Sequence, residues 1–277
     1  MSRQPQPPEP SRRPSRRAAR TAAPGRDRRT PTAVWLYGLH AVLACVANPE
    51  RRCRRLLATD RTRERLAGAA AAAAVARPDV ELCDRRALAA VLPPDAVHQG
   101  FAALVEPLAE LTLEEVVAGL EGAATASVVV LDQASDPRNV GAVIRSAAAF
   151  GAAAVVTQDR HAPTTTGALA KAAAGGLERV SLVSVVNLAR ALRSLQAAGF
   201  WCIGLDAEAQ ESLARALPPG RAALVLGSEG YGLRRLTRET CDGLARIPIA
   251  SASGSLNLSA AAAIALYERA RGEDGAG

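Results

Sequence analysis

From Ala33 onward the chain alternates short apolar runs with helically spaced ones. "AVWLYGLHAVLACVANPE" predicts a short strand to Tyr37 and then a helix ended by Asn48-Pro49, because a residue before proline is pushed out of helical geometry. "RRCRRLLATD" predicts a strand, Thr62 to Val75 a helix, and Val80 to Cys83 a strand. Arg85 to Val91 predicts a short helix stopped by Pro93-Pro94, and "AVHQGFAALVEP" a returning strand. Residues 33–106 therefore read as a small α/β domain. Residues 107–125 read as a linker carrying one amphipathic turn of helix, "LTLEEVVAGL".

A second pattern begins at "SVVVLDQ", a continuous run of β-branched residues of the kind buried on both faces of a parallel sheet. It predicts a helix from Arg138 to Phe150, the strand "AAAVVT", a helix near Ala168 to Ala174 and the strand "VSLVSV". A helix from Leu188 to Ala198, the strands "FWCIGLD" and "AALVLG", a short helix near Leu233 to Glu239 and "GLARIPI" follow. An alanine-rich helix from Asn257 closes the pattern, which spans 126–272; residues 273–277 read as a flexible C-terminus. Alternation of this kind predicts a doubly wound parallel sheet, which binds ligands in loops beyond its strand carboxyl ends.

Charge changes this picture only at the ends. The chain carries a net +7, and residues 1–30 hold nine arginines against Glu9 and Asp27, a surplus of seven, so the rest balances to zero. Residues 1–32, rich in Arg and Pro, cannot bury a core and are expected to be a disordered tail, either simply solvated or tethering RNA phosphates; a transit peptide fits the prolines poorly. No apolar h-region follows the start, and "AGAAAAAAVA" is too short to span a membrane, so neither secretion nor membrane insertion is expected. The five cysteines are scattered without a CxxC pair, which argues against structural zinc and disulfides and for a reducing, cytoplasmic setting. His40, His98 and His161 share no ligand spacing, so no metal is expected. Arg51, Arg52, Arg54, Arg55, Arg61, Arg63 and Arg65 form a basic run that is either a solvated face or a contact to an RNA backbone; Arg52 and Arg55 are the candidates for the latter.

The strand-end rule singles out three loops. "DPRNVGAVIRSAAAFG" places Asn139, Gly141 and Arg145 at a strand-to-helix turn, "LVLGSEGYGL" surrounds Glu229 with glycines, and "IPIASASGSLNLSAAAAIALYE" delivers Leu256, Asn257 and Ser259 to a helix start. Singly, each has an ordinary structural reading: a cap, a turn, a surface arginine. Together and in this order they resemble the three motifs of the SpoU-type (TrmH-like) RNA ribose 2′-O-methyltransferases. "WLYGLHAV" and "AVHQGFAALVEP" resemble the two ends of that family's L30e-like substrate-binding domain, found in the branch that modifies large-subunit (23S) ribosomal RNA. The resemblance covers roughly residues 33–271.

It implies an α/β chain with a SPOUT-type parallel-sheet catalytic domain and a C-terminal trefoil knot, preceded by the small L30e-like domain. It implies a homodimer that transfers a methyl group from S-adenosyl-L-methionine to a ribose 2′-hydroxyl, most simply of a guanosine in 23S rRNA. By the same resemblance Asn139, Arg145, Glu229, Asn257 and Ser259 are catalytic, Gly227, Ile247 and Leu256 hold the cofactor, and Arg145 also contacts the target RNA. Three alternatives stay open: a tRNA guanosine, another rRNA nucleotide, or a non-catalytic rRNA-binding assembly factor on the same scaffold.

Overall fold

The computed structural model describes residues 33–160, 166–250 and 255–274. The expected tail (1–32), His161 and residues 275–277 of the expected flexible C-terminus lie outside the described residues.

The first unit is a four-stranded sheet, β1 (Val34–Tyr37), β2 (Cys53–Ala58), β3 (Val80–Leu82) and β4 (Phe101–Val105), with helices α1 (Leu39–Ala47), α2 (Asp60–Ala71) and α3 (Arg85–Val91). Its order is β1-β4-β2-β3; β4 runs antiparallel to β1 and β2, while β3 is parallel to β2. Leu36 and Leu56 both face Ala103 across the ladders, and all three are buried. Two elements are shorter than the sequence predicts. The alanine run leaves α2 with only Leu66 buried, so it ends at Ala71 rather than Val75. Asp95, Gln99 and Gly100 take φ of 63°, 55° and 85°, which turns "AVHQG" into a bend and starts β4 only at Phe101.

The second unit is a six-stranded, wholly parallel sheet in the order β10-β8-β9-β5-β6-β7. The strands are β5 (Ala126–Leu131), β6 (Ala154–Gln158), β7 (Ser181–Val185), β8 (Trp201–Leu205), β9 (Arg221–Leu226) and β10 (Gly243–Ala245). Side-chain alternation separates its two faces. Val129, Leu131, Val155 and Leu224 join one apolar cluster, under α5 (Pro137–Ala149), α6 (Gly167–Ala172) and α10 (Leu258–Asp274). Val128, Val130, Val156 and Val225 join another, under α4 (Leu113–Ala118) and α7 (Leu188–Ala197). Two short helices, α8 (Leu213–Ala216) and α9 (Arg235–Thr240), complete the crossovers; the sequence pattern did not predict α8. Chain direction over the sheet reverses between the neighbours β5 and β9, which opens a crevice at their carboxyl ends.

The two units are docked, not strung on a loose linker. The first apolar cluster runs from Leu36 and Val42 of the first unit through Val129 and Ile144 of the second. Glycine permits the closest approaches: a Cβ at Gly167 would come within 2.5 Å of the Trp35 carbonyl oxygen, and one at Gly175 within 2.6 Å of Ala44 Cβ. Arg51 crosses the boundary. Its guanidinium meets Glu178 at 2.7 Å with both side chains almost fully buried, and donates to the Glu106 carbonyl oxygen at 3.0 Å. This corrects the reading of the whole basic run as a solvated or RNA-facing surface: Arg51 is an internal clamp.

Candidate active site

The three loops meet at the crevice. Asn139 lies in the first turn of α5, just past β5; Glu229 lies in the turn after β9; Asn257 and Ser259 flank the start of α10. One carboxylate oxygen organises them. Glu229 Oε1 accepts from Asn139 Nδ2 at 2.8 Å, from Asn257 Nδ2 at 2.6 Å and from the Leu258 amide at 3.2 Å. Asn257 Nδ2 also lies 3.2 Å from Asn139 Oδ1. Asn257 Oδ1 in turn accepts from the Ser259 amide at 2.9 Å and the Ser259 hydroxyl at 2.6 Å. With its proton committed to Asn257, the Ser259 oxygen keeps its lone pairs for an incoming donor. The acid also sits at the N-terminus of a long helix, where the helix dipole favours negative charge.

Arg145 does not join this centre. Six residues separate it from Asn139, which on a helix means about 9 Å of rise and a face turned by roughly 120°. It is exposed and, among the described residues, makes no hydrogen bond or ion pair. Gly141 serves packing: a Cβ there would come within 2.5 Å of Ala172 Cβ, so the glycine lets α5 lie directly on α6.

The turn itself and a buried acid beneath it fix Glu229 in place. A Cβ at Gly227 would overlap the Gly232 carbonyl and the Leu233 amide, so only glycine lets β9 turn back on itself here. Ser228 and Gly232 exchange backbone hydrogen bonds of 3.1 and 3.0 Å that close the turn. Below it, fully buried Asp132 accepts from the Arg234 amide at 3.0 Å and from its guanidinium Nε at 2.7 Å. Asp132 and Arg234 escaped the sequence reading. The available signal was an acid ending the apolar run "VVVLD", since a carboxylate at such a depth needs a partner.

The expected cofactor residues ring the same crevice: Gly227 beyond β9, Ile247 beyond β10 and Leu256 before α10. Ile247 and Leu256 are half-buried. The amides of Ile247, Ile249 and Ala250 have no hydrogen-bond partner among the described residues. Backbone donors that are unpaired among the described residues, beside half-buried aliphatic side chains, fit a nucleoside such as that of S-adenosylmethionine, which can take backbone hydrogen bonds on its heteroatoms and apolar contact on its ring. Among the described residues no group of His, Cys, Asp and Glu could hold a metal ion, and no helix is long and apolar enough to cross a membrane.

The candidate RNA contacts in the first unit differ from one another. Arg52 is exposed and loosely opposite Glu106 at 3.8 Å. Arg55 is already engaged, by two bonds of 2.8 and 2.6 Å to Glu81 and by the Trp35 ring 5.8 Å away.

Comparison with known proteins agrees with this geometry. The SpoU rRNA Methylase family matches residues 126–267, and the RNA 2′-O ribose methyltransferase substrate binding family matches residues 35–111. Among curated relatives, the 23S rRNA (guanosine-2′-O-)-methyltransferase RlmB of Pseudomonas putida is 38% identical over 240 residues, covering 85% of this chain and 95% of its own. The protein of the same name from Xanthomonas campestris is 41% identical over 246 residues, covering 87% and 98%. Among solved structures, the SpoU methyltransferase AviRb from Streptomyces viridochromogenes in complex with AdoMet shares the fold, with a TM-score of 0.70 at 22% identity over 88% of this chain and 91% of that one. The chain belongs to the SpoU rRNA methylase family, with that family's SPOUT-type catalytic sheet behind a substrate-binding domain.

Proposed function

We propose that this protein is an S-adenosylmethionine-dependent methyltransferase acting on the ribose 2′-hydroxyl of a guanosine in 23S rRNA, in the cytoplasm. The observation that carries the reading is the centre held by Glu229 Oε1, which gathers Asn139, Asn257 and the start of α10 at the crevice of a SpoU-family sheet. Relatives named for this reaction on 23S rRNA match over most of the chain.

When bound, S-adenosylmethionine supplies a methyl group already activated on a sulfonium. The residues of the chain deal with the harder partner, a hydroxyl that is protonated at neutral pH. Gly227, Ile247 and Leu256 hold the nucleoside through backbone groups and aliphatic contact. Glu229 locks the amides of Asn139 and Asn257, so their polar atoms and the Ser259 hydroxyl are oriented before the RNA arrives, which is where such sites gain most of their effect. Arg145 contacts the ribose-phosphate and stabilises the developing alkoxide; a guanidinium stays charged and so acts by charge instead of taking the proton. Arg52 and Arg55 contribute to RNA contact from the first domain.

The reading includes a homodimer and the knotted C-terminal chain path that the family resemblance implies. Phe150, Ile264 and Tyr267 are exposed where α5 meets α10, an apolar patch suited to a second copy. Arg145 stands outside its own polar centre on the same helix, as a residue serving a composite site would.

The test uses ribosomal and transfer RNA from cells lacking the protein, incubated with it and S-adenosylmethionine, then cleaved with alkali. A methylated ribose resists cleavage. A single protected guanosine in 23S rRNA, lost with Arg145→Ala, is expected. Protection only in tRNA, or at another rRNA nucleotide, overturns the target. No protection with no cofactor binding replaces the enzyme by an assembly factor.

A further inference from the structure

Tyr231 is 93% exposed, beside Glu229 and two residues along the chain from it. Few aromatic residues exist in this chain, and the rest are otherwise occupied. Tyr37, Phe101 and Phe200 are buried, Trp35 lies under Arg55, and Phe150 and Tyr267 meet edge to face at 6.1 Å. Trp201 opens β8 and so sits at the amino end of the sheet, opposite the loops. Tyr231 alone projects from the crevice end.

Its loop is built to hold that position. Ser228 and Gly232 close the turn through paired backbone bonds, and Gly230 and Gly232 adopt φ of 83° and 66°, which leaves Tyr231 as the one bulky side chain on the turn besides Glu229. Glu229 itself is fixed by three accepted hydrogen bonds. Two residues of chain span at most about 7 Å, so the Tyr231 Cα is tethered within that distance of the Glu229 Cα.

We propose that Tyr231 stacks on an unpaired nucleobase of the RNA substrate, the target base or its neighbour, and so positions the ribose over the Asn139–Asn257 centre. The inference deepens the proposed function and rests on it. Presenting a ribose hydroxyl to a centre ringed by loops at the strand carboxyl ends draws the nucleotide out of its helical stack, and exposed aromatic rings hold unstacked bases in RNA recognition. The side chains of the polar centre supply hydrogen-bonding groups and no ring face, so the ring must come from the loop.

The experiment compares wild type with Tyr231→Ala and Tyr231→Phe on 23S rRNA from cells lacking the protein. It measures kcat and KM for RNA, S-adenosylmethionine affinity by calorimetry, and subunit association by sedimentation. Loss of one stacked base predicts a rise of about 5- to 150-fold in the RNA KM for Tyr231→Ala. Tyr231→Phe is expected within about twofold of wild type, because stacking needs the ring and not the hydroxyl. Cofactor affinity and association stay unchanged. An unchanged RNA KM in Tyr231→Ala overturns the proposal, as does a Phe variant equally impaired. Weakened cofactor binding or weakened association in Tyr231→Ala also overturns it, by making the ring a cofactor or subunit contact. If wild type transfers no methyl group to any RNA, the proposed function fails and this inference with it; if wild type transfers normally, only the stacking role is at stake.

Discussion

Replacing Arg51 with alanine should cost several times more stability than replacing exposed Arg52 beside it. The guanidinium gives Glu178 contacts of 2.7, 3.1 and 3.2 Å, and both side chains are at most 5% exposed. Without it, the Glu178 carboxylate keeps, among the described residues, only the 2.7 Å bond from Asn48 Nδ2, and the Glu106 carbonyl loses its 3.0 Å donor. Breaking a buried pair from one side costs about 3–5 kcal/mol, because the surviving charge stays desolvated. Against a total of about 5–15 kcal/mol this is a large fraction. At about 2–4 °C per kcal/mol for a chain of this size class, the melting temperature should fall by roughly 6–20 °C. Calorimetry and urea unfolding measure the loss. Because the pair joins the two units, limited proteolysis should also cut faster in residues 107–112. The double variant Arg51→Met/Glu178→Leu removes both charges and should recover most of the loss. A single-variant cost under about 1 kcal/mol, or a double variant no better than the single, would show that the clamp is not buried in solution.

Three further outcomes follow from local geometry. Gly227→Ala forces the turn after β9 off the Gly232 carbonyl, so overpacking should cost about 1–3 kcal/mol in urea unfolding and weaken S-adenosylmethionine binding by calorimetry; normal binding would remove Gly227 from the cofactor site. The Cys53 thiol, lowered to about 7 chiefly by the neighbouring Cys45 thiol and further by Arg77 and Arg51, should be alkylated by iodoacetamide at a rate that climbs through pH 7, while burial pushes Cys202 and Cys241 up to about 12 and leaves them unlabelled by mass spectrometry. The His98 imidazole is held below its ordinary range by burial, then by Arg85 and Lys171. The unfolded chain therefore takes a proton near pH 6.5 that the folded chain refuses: this contribution to stability is complete above 6.5 and is lost as pH falls toward the folded value. His98→Gln should flatten the fall in urea midpoint between pH 7.5 and 5.5; an unchanged slope would show that His98 does not titrate differently on folding.

Much of this was legible in the sequence, for identifiable reasons. Strand and helix periodicities in 126–272 differ sharply because the parallel sheet is buried on both faces, so β5 reads directly from a β-branched run and β6 to β9 from short apolar runs. The loops that meet at the crevice were findable because strand carboxyl ends are where such sheets place their sites. The arginine run was not resolvable. Arg51 and Arg52 are neighbours of one residue type, yet one is buried and the other has a side chain 82% exposed, and what separates them is Glu178, which lies 127 residues from Arg51. Asp132 was hidden the same way, its partner Arg234 being 102 residues distant. The separation of Arg145 from Asn139 is of a different kind. Helical periodicity alone puts positions six apart on different faces, so the sequence held that information.

The site thus divides by depth. The groups proposed to meet substrate are exposed or half-exposed, and their mutual bonds, such as Asn139 to Glu229, compete with water and contribute little to folding. Precision in such a centre has to come from beneath it. Asp132 with Arg234 pins the strand end that carries Glu229, Gly227 forces the turn that aims it, and Gly141 seats the helix that carries Asn139 against α6. Substitutions at those supports should therefore damage turnover through geometry and stability together, whereas substitutions at Asn139, Asn257 or Ser259 should remove activity and leave the fold nearly as stable as before. That difference separates a group that acts on the ribose from one that only holds it in place.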